Sequence, residues 1–354
     1  MLKIVGATWR SCLHCIINYY AKIMPQKYFF TYKPAQRISG FIDNIGKLRA
    51  NILRAYFSGR VLILLPAFLE IRHNAFIPGR KQIYDYLDLD DTRLFIDGKQ
   101  KPFSYIWFED LDKKDMDNWA VQASYAPGVE NIEHLDDSTA ELLIFFHPKY
   151  AKRWPPHAHH APKLNKAPIP LRSPGEVSEK PKHKKKVFFS ACQEYRRLSE
   201  QVIAALGGAR NYYALHVRRR DRAILSPELN RATQAKAIIK RIQTMVSQGE
   251  TLFLLSDEKA PHYFKPLEKH WKIVRYHDFP ELARLVNHPN PFLHDNNALF
   301  LVEGLIYWQA KLKISSYQGH GIGSFGHFFK GQDTKDQRYL LDKTRLELFS
   351  VQKY

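Results

Sequence analysis

Cysteine is scarce: Cys12, Cys15 and Cys192 are the only three in 354 residues. Three thiols cannot build a disulfide framework, and the single Cys-x-x-Cys lacks the second pair that would close a structural zinc site, so they read as ordinary thiols. Long apolar runs are missing as well. No stretch approaches the roughly 18 uninterrupted apolar residues of a spanning helix. Even the N-terminal run is broken by His14, Asn18 and Lys22, which excludes an integral helical membrane protein. The same interruptions, and the absence of a small-x-small cleavage pattern behind Lys3 and Arg10, make residues 1–27 a poor signal peptide. The expected compartment is the cytoplasm, with the secretory pathway as the alternative if that segment acts as a weak signal. Acidic residues are outnumbered, 35 against 54 Lys and Arg, for a formal charge of +19. Apolar residues are not short: 45% of the chain, with 22 Phe, 19 Tyr and 6 Trp, is enough for a substantial core and too much for a disordered polymer.

The location of the positive charge says more than its total. Residues 152–186 carry ten Lys or Arg against Glu176 and Glu179, include seven prolines, and end in Lys184-Lys185-Lys186. Such a stretch cannot pack a core or continue a helix, so it reads as a mobile linker or surface insertion. It separates an N-terminal domain, 28–151, from a C-terminal one, 187–354, with 1–27 as a leading segment of uncertain role. His157, His159 and His160 fall in the tether and read as solvated rather than as metal ligands. Outside it the surplus is dilute and demands no polyanionic partner.

In the N-terminal part, Tyr28-Phe29-Phe30-Thr31-Tyr32 fits a buried strand stopped by Pro34. A polar loop with Gly40, Asp43 and Asn44 follows. From Ile45, apolar Ile45, Leu48, Ile52, Leu53 and Tyr56 recur at helical spacing up to Gly59. Val61 to Leu65 is a continuous apolar run ending at Pro66, the pattern of a parallel strand covered on both faces. In a strand-helix-strand unit ligands approach the carboxyl ends of the strands, which places the Gly40–Asn44 loop and residues 66–73 on one rim.

The C-terminal part repeats the pattern. Strands are expected at 211–217, 252–255, 272–276 and 312–315, with helices over about 233–246 and from Asp295 through Leu299, Val302 and Ile306. The first strand runs into Arg218-Arg219-Arg220-Asp221, the second into Ser256-Asp257-Glu258, and the last into a turn, 319–326, that reads GHGIGSFG. Strands alternating with helices imply a parallel doubly wound sheet.

Three loop positions carry chemistry. An arginine at a strand's carboxyl end can pair two donors with a diphosphate and offset charge developing on a leaving group. A glycine-rich turn with a small hydroxyl residue offers backbone N–H groups to the same phosphates. A carboxylate can accept both N1–H and N2–H of guanine. The candidates are Arg218, Ser324 with the Phe325 backbone, and Asp295. Each also has a structural reading. Adjacent arginines can form a solvated loop, Asp295 can cap its helix, the glycine string can be a flexible turn, and His216 can be a satisfied core histidine.

In order, these segments resemble the GDP-fucose-dependent protein O-fucosyltransferases and, more distantly, the α1,6-fucosyltransferases. His216-Val217-Arg218-Arg219-Arg220-Asp221 is similar to a His-x-Arg-x-x-Asp motif of that superfamily, Leu255-Ser256-Asp257 to a second, and Asp295 through Phe325 to a third. Residues 28–44 and 61–73 resemble the opening strand with its Gly-x-x-x-Asn loop and the following strand with its Pro-x-x-x-Glu exit. The resemblance implies an α/β protein of two Rossmann-like domains with parallel sheets facing a cleft, the GT-B architecture. It further implies metal-independent, inverting transfer of fucose from GDP-fucose to a Ser or Thr hydroxyl of a protein, with no cofactor and a monomeric chain. Arg218 would hold the β-phosphate, Ser324 and Phe325 the diphosphate, and His216 with Asp295 the guanine. Gly40 and Asp257 would line the donor site, Asn44 would face donor and acceptor, and Asp43 would act as the base or cap its helix. In the family loop a glycine and a glutamine flank the asparagine; here Asp43 and Ile45 stand there.

Other readings stay open. The acceptor could be a glycan, or the donor another GDP-sugar. Asp88-Leu89-Asp90 has the spelling of a metal-binding Asp-x-Asp, although its acidic surroundings favour a solvated helix end or turn. The basic charge could serve nucleic acid, but no recognised nucleic-acid motif accompanies it. A catalytically inactive binding protein is the last alternative, against which the presence of Arg218 and Asp295 counts.

Overall fold

The computed structural model describes residues 28–32, 40–64, 81–107, 110, 121–125, 142–146, 184–260, 262–290, 293–316, 322–326, 328–329 and 338–340. The leading segment 1–27, the rim residues 66–73, the basic stretch from 152 to 183 and the turn residues 319–321 lie outside the described residues. The chain clusters into two compact units, one of residues 1–36, 47–66 and 94–186, the other of 37–46, 67–93 and 187–354.

In chain order the strands up to the basic stretch are β1 (Tyr28–Tyr32), β2 (Val61–Leu64), β3 (Leu87–Ile96), β4 (Lys99–Lys101), β5 (Tyr105–Trp107), β6 (Val121–Tyr125) and β7 (Leu142–Phe146). After it come β8 (Lys185–Ala191), β9 (Tyr213–Val217), β10 (Thr251–Ser256), β11 (Lys272–Val274), β12 (Leu312–Ser315) and β13 (Arg338–Leu340). The first unit holds a five-stranded sheet in the order β5-β2-β1-β7-β6, parallel throughout. The second unit holds another, β11-β10-β9-β12-β13, also wholly parallel. Parallel pairing needs covered faces, and the continuous apolar runs of β2 and β10, with Leu62 to Leu64 and Leu252 to Leu255 buried, supply them. No helix among the described residues is long and apolar enough to cross a membrane.

Three local expectations change. The polar loop Gly40–Asn44 is mostly helix, which spans Phe41–Phe57 rather than starting at Ile45. The apolar stripe is one turn longer than expected, with Phe41 buried ahead of Ile45, Leu48 and Ile52. Asp43 accepts the Gly40 N–H at 3.3 Å, and the Asn44 N–H already donates to the Gly40 carbonyl at 3.1 Å. At the other end Gly59, at φ 62°, lets the Arg60 N–H reach the Ala55 carbonyl at 2.9 Å.

The second change concerns Asp88-Leu89-Asp90, which lies within strand β3 and not at a helix end or turn. Buried residues alternate as Leu87 and Leu89, then slip by one position and resume at Thr92, Leu94 and Ile96. That slip conceals the strand from a period-two reading. The Asp88 carboxylate accepts the Asp91 N–H at 3.1 Å and pairs at 3.5 Å with Arg196, which also pairs with Asp91 at 3.3 Å. Asp97 and Gly98, at φ 51° and 80°, turn β3 into the antiparallel β4, the conformation that Asp-Gly favours in a two-residue hairpin.

The third change is at the end of the basic stretch. Lys184 exchanges two bonds with Asp97, donating its N–H to the carboxylate at 2.8 Å and accepting the Asp97 N–H at 2.9 Å. Lys185 opens β8, its ammonium 4.6 Å from the Phe57 ring centre. The Lys184–Lys186 run is therefore built into structure, while Val187 and Phe189 just beyond it are buried.

The helix Asn296–Gln309 of the second unit buries Leu301, Val302, Ile306, Tyr307 and Trp308. Gly304 is where Phe325 reaches it. A Cβ built at Gly304 would lie 2.6 and 2.7 Å from Cδ2 and Cζ of Phe325, a ring stacked on Phe329 at 4.1 Å between centres. Replacing a helical glycine by alanine ordinarily stabilises by about 1 kcal/mol, yet overpacking a core costs about 1–3 kcal/mol. Gly304→Ala is therefore expected to lower stability in urea unfolding; a rise would show that the rings yield freely.

Glu303 gives a pH signature. Burial pushes its carboxyl up to about 8 from 4.5, with Arg275 opposing. The native state keeps a proton that the unfolded chain releases, so stability contributed by this group is full below pH 4.5 and is lost as pH rises through about 8. Glu303→Gln should flatten the dependence of urea midpoint on pH over this window and raise the midpoint at its alkaline end.

Candidate functional site

The carboxyl ends of three neighbouring strands bring together three of the predicted residues of the second unit, His216, Arg218 and Asp257. β9 lies between β10 and β12, in register Val217 with Ser256 and His216 with Ser315. Arg218, Asp257 and Ser316 are the next residues along their strands, so parallel pairing brings them to one edge. Side chains then tie the three ends together. Ser256 Oγ donates to the Val217 carbonyl at 2.7 Å, and the Arg218 N–H donates to Ser316 Oγ at 2.8 Å. His216 Nδ1 is 3.1 Å from Ser315 Oγ.

Arg218 and Arg219 have different surroundings. Arg219 Nε donates to Glu258 Oε2 at 3.0 Å, Nη1 to Thr233 Oγ1 at 2.8 Å and Nη2 to Asn230 Oδ1 at 3.2 Å. Its guanidinium also covers the Tyr263 ring at 4.2 Å, and only 11% of the side chain is exposed. This arginine is a structural clasp. Arg218 is more open, at 26% of its side chain, and its Nη1 pairs with Asp257 Oδ2. The other Asp257 oxygen accepts the Arg219 backbone N–H at 2.7 Å. The Ala260 N–H, first, and then Arg219 hold the Glu258 carboxyl below its ordinary range, against the effect of burial.

Asp295 has the cap geometry. Its Oδ1 accepts the Ala298 N–H at 2.9 Å at the start of the helix Asn296–Gln309 and the Tyr86 hydroxyl at 2.8 Å. Lys81 Nζ stands 2.9 Å from Oδ2 and donates to the Tyr195 hydroxyl at 2.9 Å. Tyr86 and Tyr195 stack at 5.6 Å, and the ammonium lies 5.6 and 5.5 Å from their ring centres. Burial, with help from Glu194 and Asp295, keeps the Tyr195 phenol above its ordinary range. Lys81, Tyr86 and Tyr195 escape a motif-based reading because no local pattern marks them.

The remaining candidates occupy two places. Gly40, Asp43 and Asn44 form the opening turn of the helix Phe41–Phe57, with Asp43 exposed; Phe41 beside them packs edge-on to Tyr86 and Phe300 at 5.6 and 6.0 Å. Ser324 and Phe325 belong to the short helix Ile322–Phe325 that follows β12, where the Phe325 ring is buried. The Asp221 side chain lies outside what is described, as do Cys12 and Cys15. Burial and then Asp88 push the Cys192 thiol up, which fits an unreactive thiol. Among the described residues no group of three His, Cys, Asp or Glu could hold a metal ion.

The unequal roles of the two arginines are testable. Removing one partner from an enclosed ionic network costs about 3–5 kcal/mol, so Arg219→Met should destabilise the fold by that order. Arg218→Met should cost less than half as much in the same urea titration.

No protein-family model and no curated protein sequence matches the chain. Among solved structures it is similar to NodZ α1,6-fucosyltransferase soaked with GDP-fucose, with a TM-score of 0.41 and 12% identity over 89% of this chain and 95% of that one. It is also similar to fucosyltransferase NodZ from Bradyrhizobium, with a TM-score of 0.40 and 12% identity over 85% and 92% of the two chains. A third similarity is to NodZ co-crystallised with GDP, with a TM-score of 0.38 and 12% identity over 85% and 91%.

Proposed function

We propose that the chain is a glycosyltransferase that moves fucose from GDP-fucose to a Ser or Thr hydroxyl of a protein acceptor, with inversion and without a metal ion. The observation that carries the proposal is Arg218. It is a partly exposed guanidinium at the carboxyl end of a parallel strand, its backbone held by Ser316 and its side chain by Asp257. Ligands approach doubly wound sheets at that edge. A guanidinium fixed there can pair with a pyrophosphate and offset the charge that grows on it.

In this reading the acceptor oxygen attacks the anomeric carbon from the face opposite the nucleotide. A new C–O bond forms as the bond to the β-phosphate oxygen breaks, and GDP departs with the electron pair. Arg218, Ser324 and the Phe325 N–H stabilise that leaving group. The acceptor proton passes to a carboxylate, for which Asp43 is the candidate, with Asn44 orienting the sugar. Asp295 and His216 complete the base pocket; because Lys81 and Tyr86 already bond the Asp295 carboxylate, guanine reaches it by exchange with Lys81 or not at all.

The test is a thermal-shift panel of GDP-fucose, GDP-mannose, GDP, UDP and ATP, in which a ligand at 100 times its Kd adds about 2.7 kcal/mol. A shift with guanine nucleotides alone supports the reading, and a shift with none of the five refutes it. Arg218→Ala should reduce transfer by roughly 10² to 10³ in kcat while the fold persists, since that is the usual cost of one preorganised charge-stabilising donor. Full activity in EDTA is expected, and its loss would refute metal independence.

A further inference from the structure

We propose that Asp257 is a positioning residue which aims Arg218 at the diphosphate; the inference rests on the reading above. Asp257 leaves the carboxyl end of β10 with one oxygen committed to each of two consecutive residues across the strand boundary. Oδ1 accepts the Arg219 N–H at 2.7 Å, and Oδ2 accepts from Arg218 Nη1. Both side chains of this pair are largely enclosed, 19% exposed for Asp257 and 26% for Arg218. The backbone on which they sit is fixed from both sides, by Ser256 on the Val217 carbonyl and by Ser316 under the Arg218 N–H. Arg219 is committed to Glu258, Thr233 and Asn230, so Arg218 is the arginine of this edge that Asp257 can direct towards a ligand.

An arginine has five N–H donors in a rigid fork, and the bond to Asp257 uses one of them. Fixing that one sets the plane of the remainder, which bidentate contact with a pyrophosphate requires. A carboxylate beside a ligand-binding arginine could instead act as a competing anion. The two roles predict opposite signs. If Asp257 competes, removing its charge strengthens diphosphate binding; if it positions, removing it weakens binding.

Substitution by asparagine separates geometry from charge. Both Asp257 oxygens face N–H donors, so whichever way the introduced amide is turned, its NH2 opposes either Arg218 or the Arg219 N–H. Alanine removes the same charge but leaves room for water to receive both donors. Asp257→Asn should therefore weaken GDP binding by about tenfold and Asp257→Ala by less, an order that loss of charge alone cannot produce.

The experiment is calorimetric titration of GDP into the full chain carrying Asp257→Asn, Arg218→Met or both, with Asp257→Ala in the same two backgrounds. The expected result is that Asp257→Asn weakens binding in the parent and changes it by less than about twofold when Arg218 is already replaced by methionine. If Asp257→Asn does not fold by circular dichroism, the cycle is completed with Asp257→Ala. Parent binding with an Asp257 variant that binds GDP equally or more tightly overturns the positioning role and leaves the transferase reading standing. An equal loss in the Arg218→Met background overturns it too, since Asp257 would then act on the fold at large. A parent chain that binds no GDP ends the transferase reading, and this inference with it.

Discussion

Parallel pairing of β9 between β10 and β12 brings Arg218, Asp257 and Ser316 together, although the first and last are 98 positions apart in sequence. Backbone ladders supply the register, and the residue after each ladder ends is presented at the same edge. Holding cations there raises an electrostatic problem that the chain solves by division. Arg219 takes Glu258 and the neutral acceptors and becomes part of the scaffold. Arg218 pairs with Asp257 and keeps a larger exposed share. Two adjacent residues of one type thus differ in surroundings: Arg219 is enclosed, with 11% of its side chain exposed, and Arg218 is more open at 26%.

Much of this edge was legible in the sequence. Continuous apolar runs marked β2 and β10, helical spacing marked the elements at Ile45 and Asp295, and the polar residues directly after the runs at 217 and 256 are the ones found at the sheet edge. What could not be read was the difference between Arg218 and Arg219. It depends on Asn230, Thr233 and Glu258, which reach Arg219 only after the chain has folded back. β3 was hidden by its one-residue slip in alternation, though Asp97-Gly98 was a hairpin signal that could have exposed it.

The cluster around Asp295 teaches the same lesson at longer range. The side-chain bond from Tyr86 spans 209 positions, and Lys81 lies farther still from its partner. A carboxylate before a helix is correctly read as a cap from its position alone. That the same group also receives a phenol and an ammonium, and so ties residues 81–86 to the helix Asn296–Gln309, is a tertiary fact with no local signature.

Gly304 carries a consequence beyond packing. The missing side chain at mid-helix is the space into which the Phe325 ring descends, and Phe325 is the neighbour of Ser324 in the short helix beyond β12. Phe325 is thereby an aromatic plug seated in a notch of the longer helix. Variation at the notch would act on Phe325 and its stacked partner Phe329 from a position that meets no solvent and carries no charge.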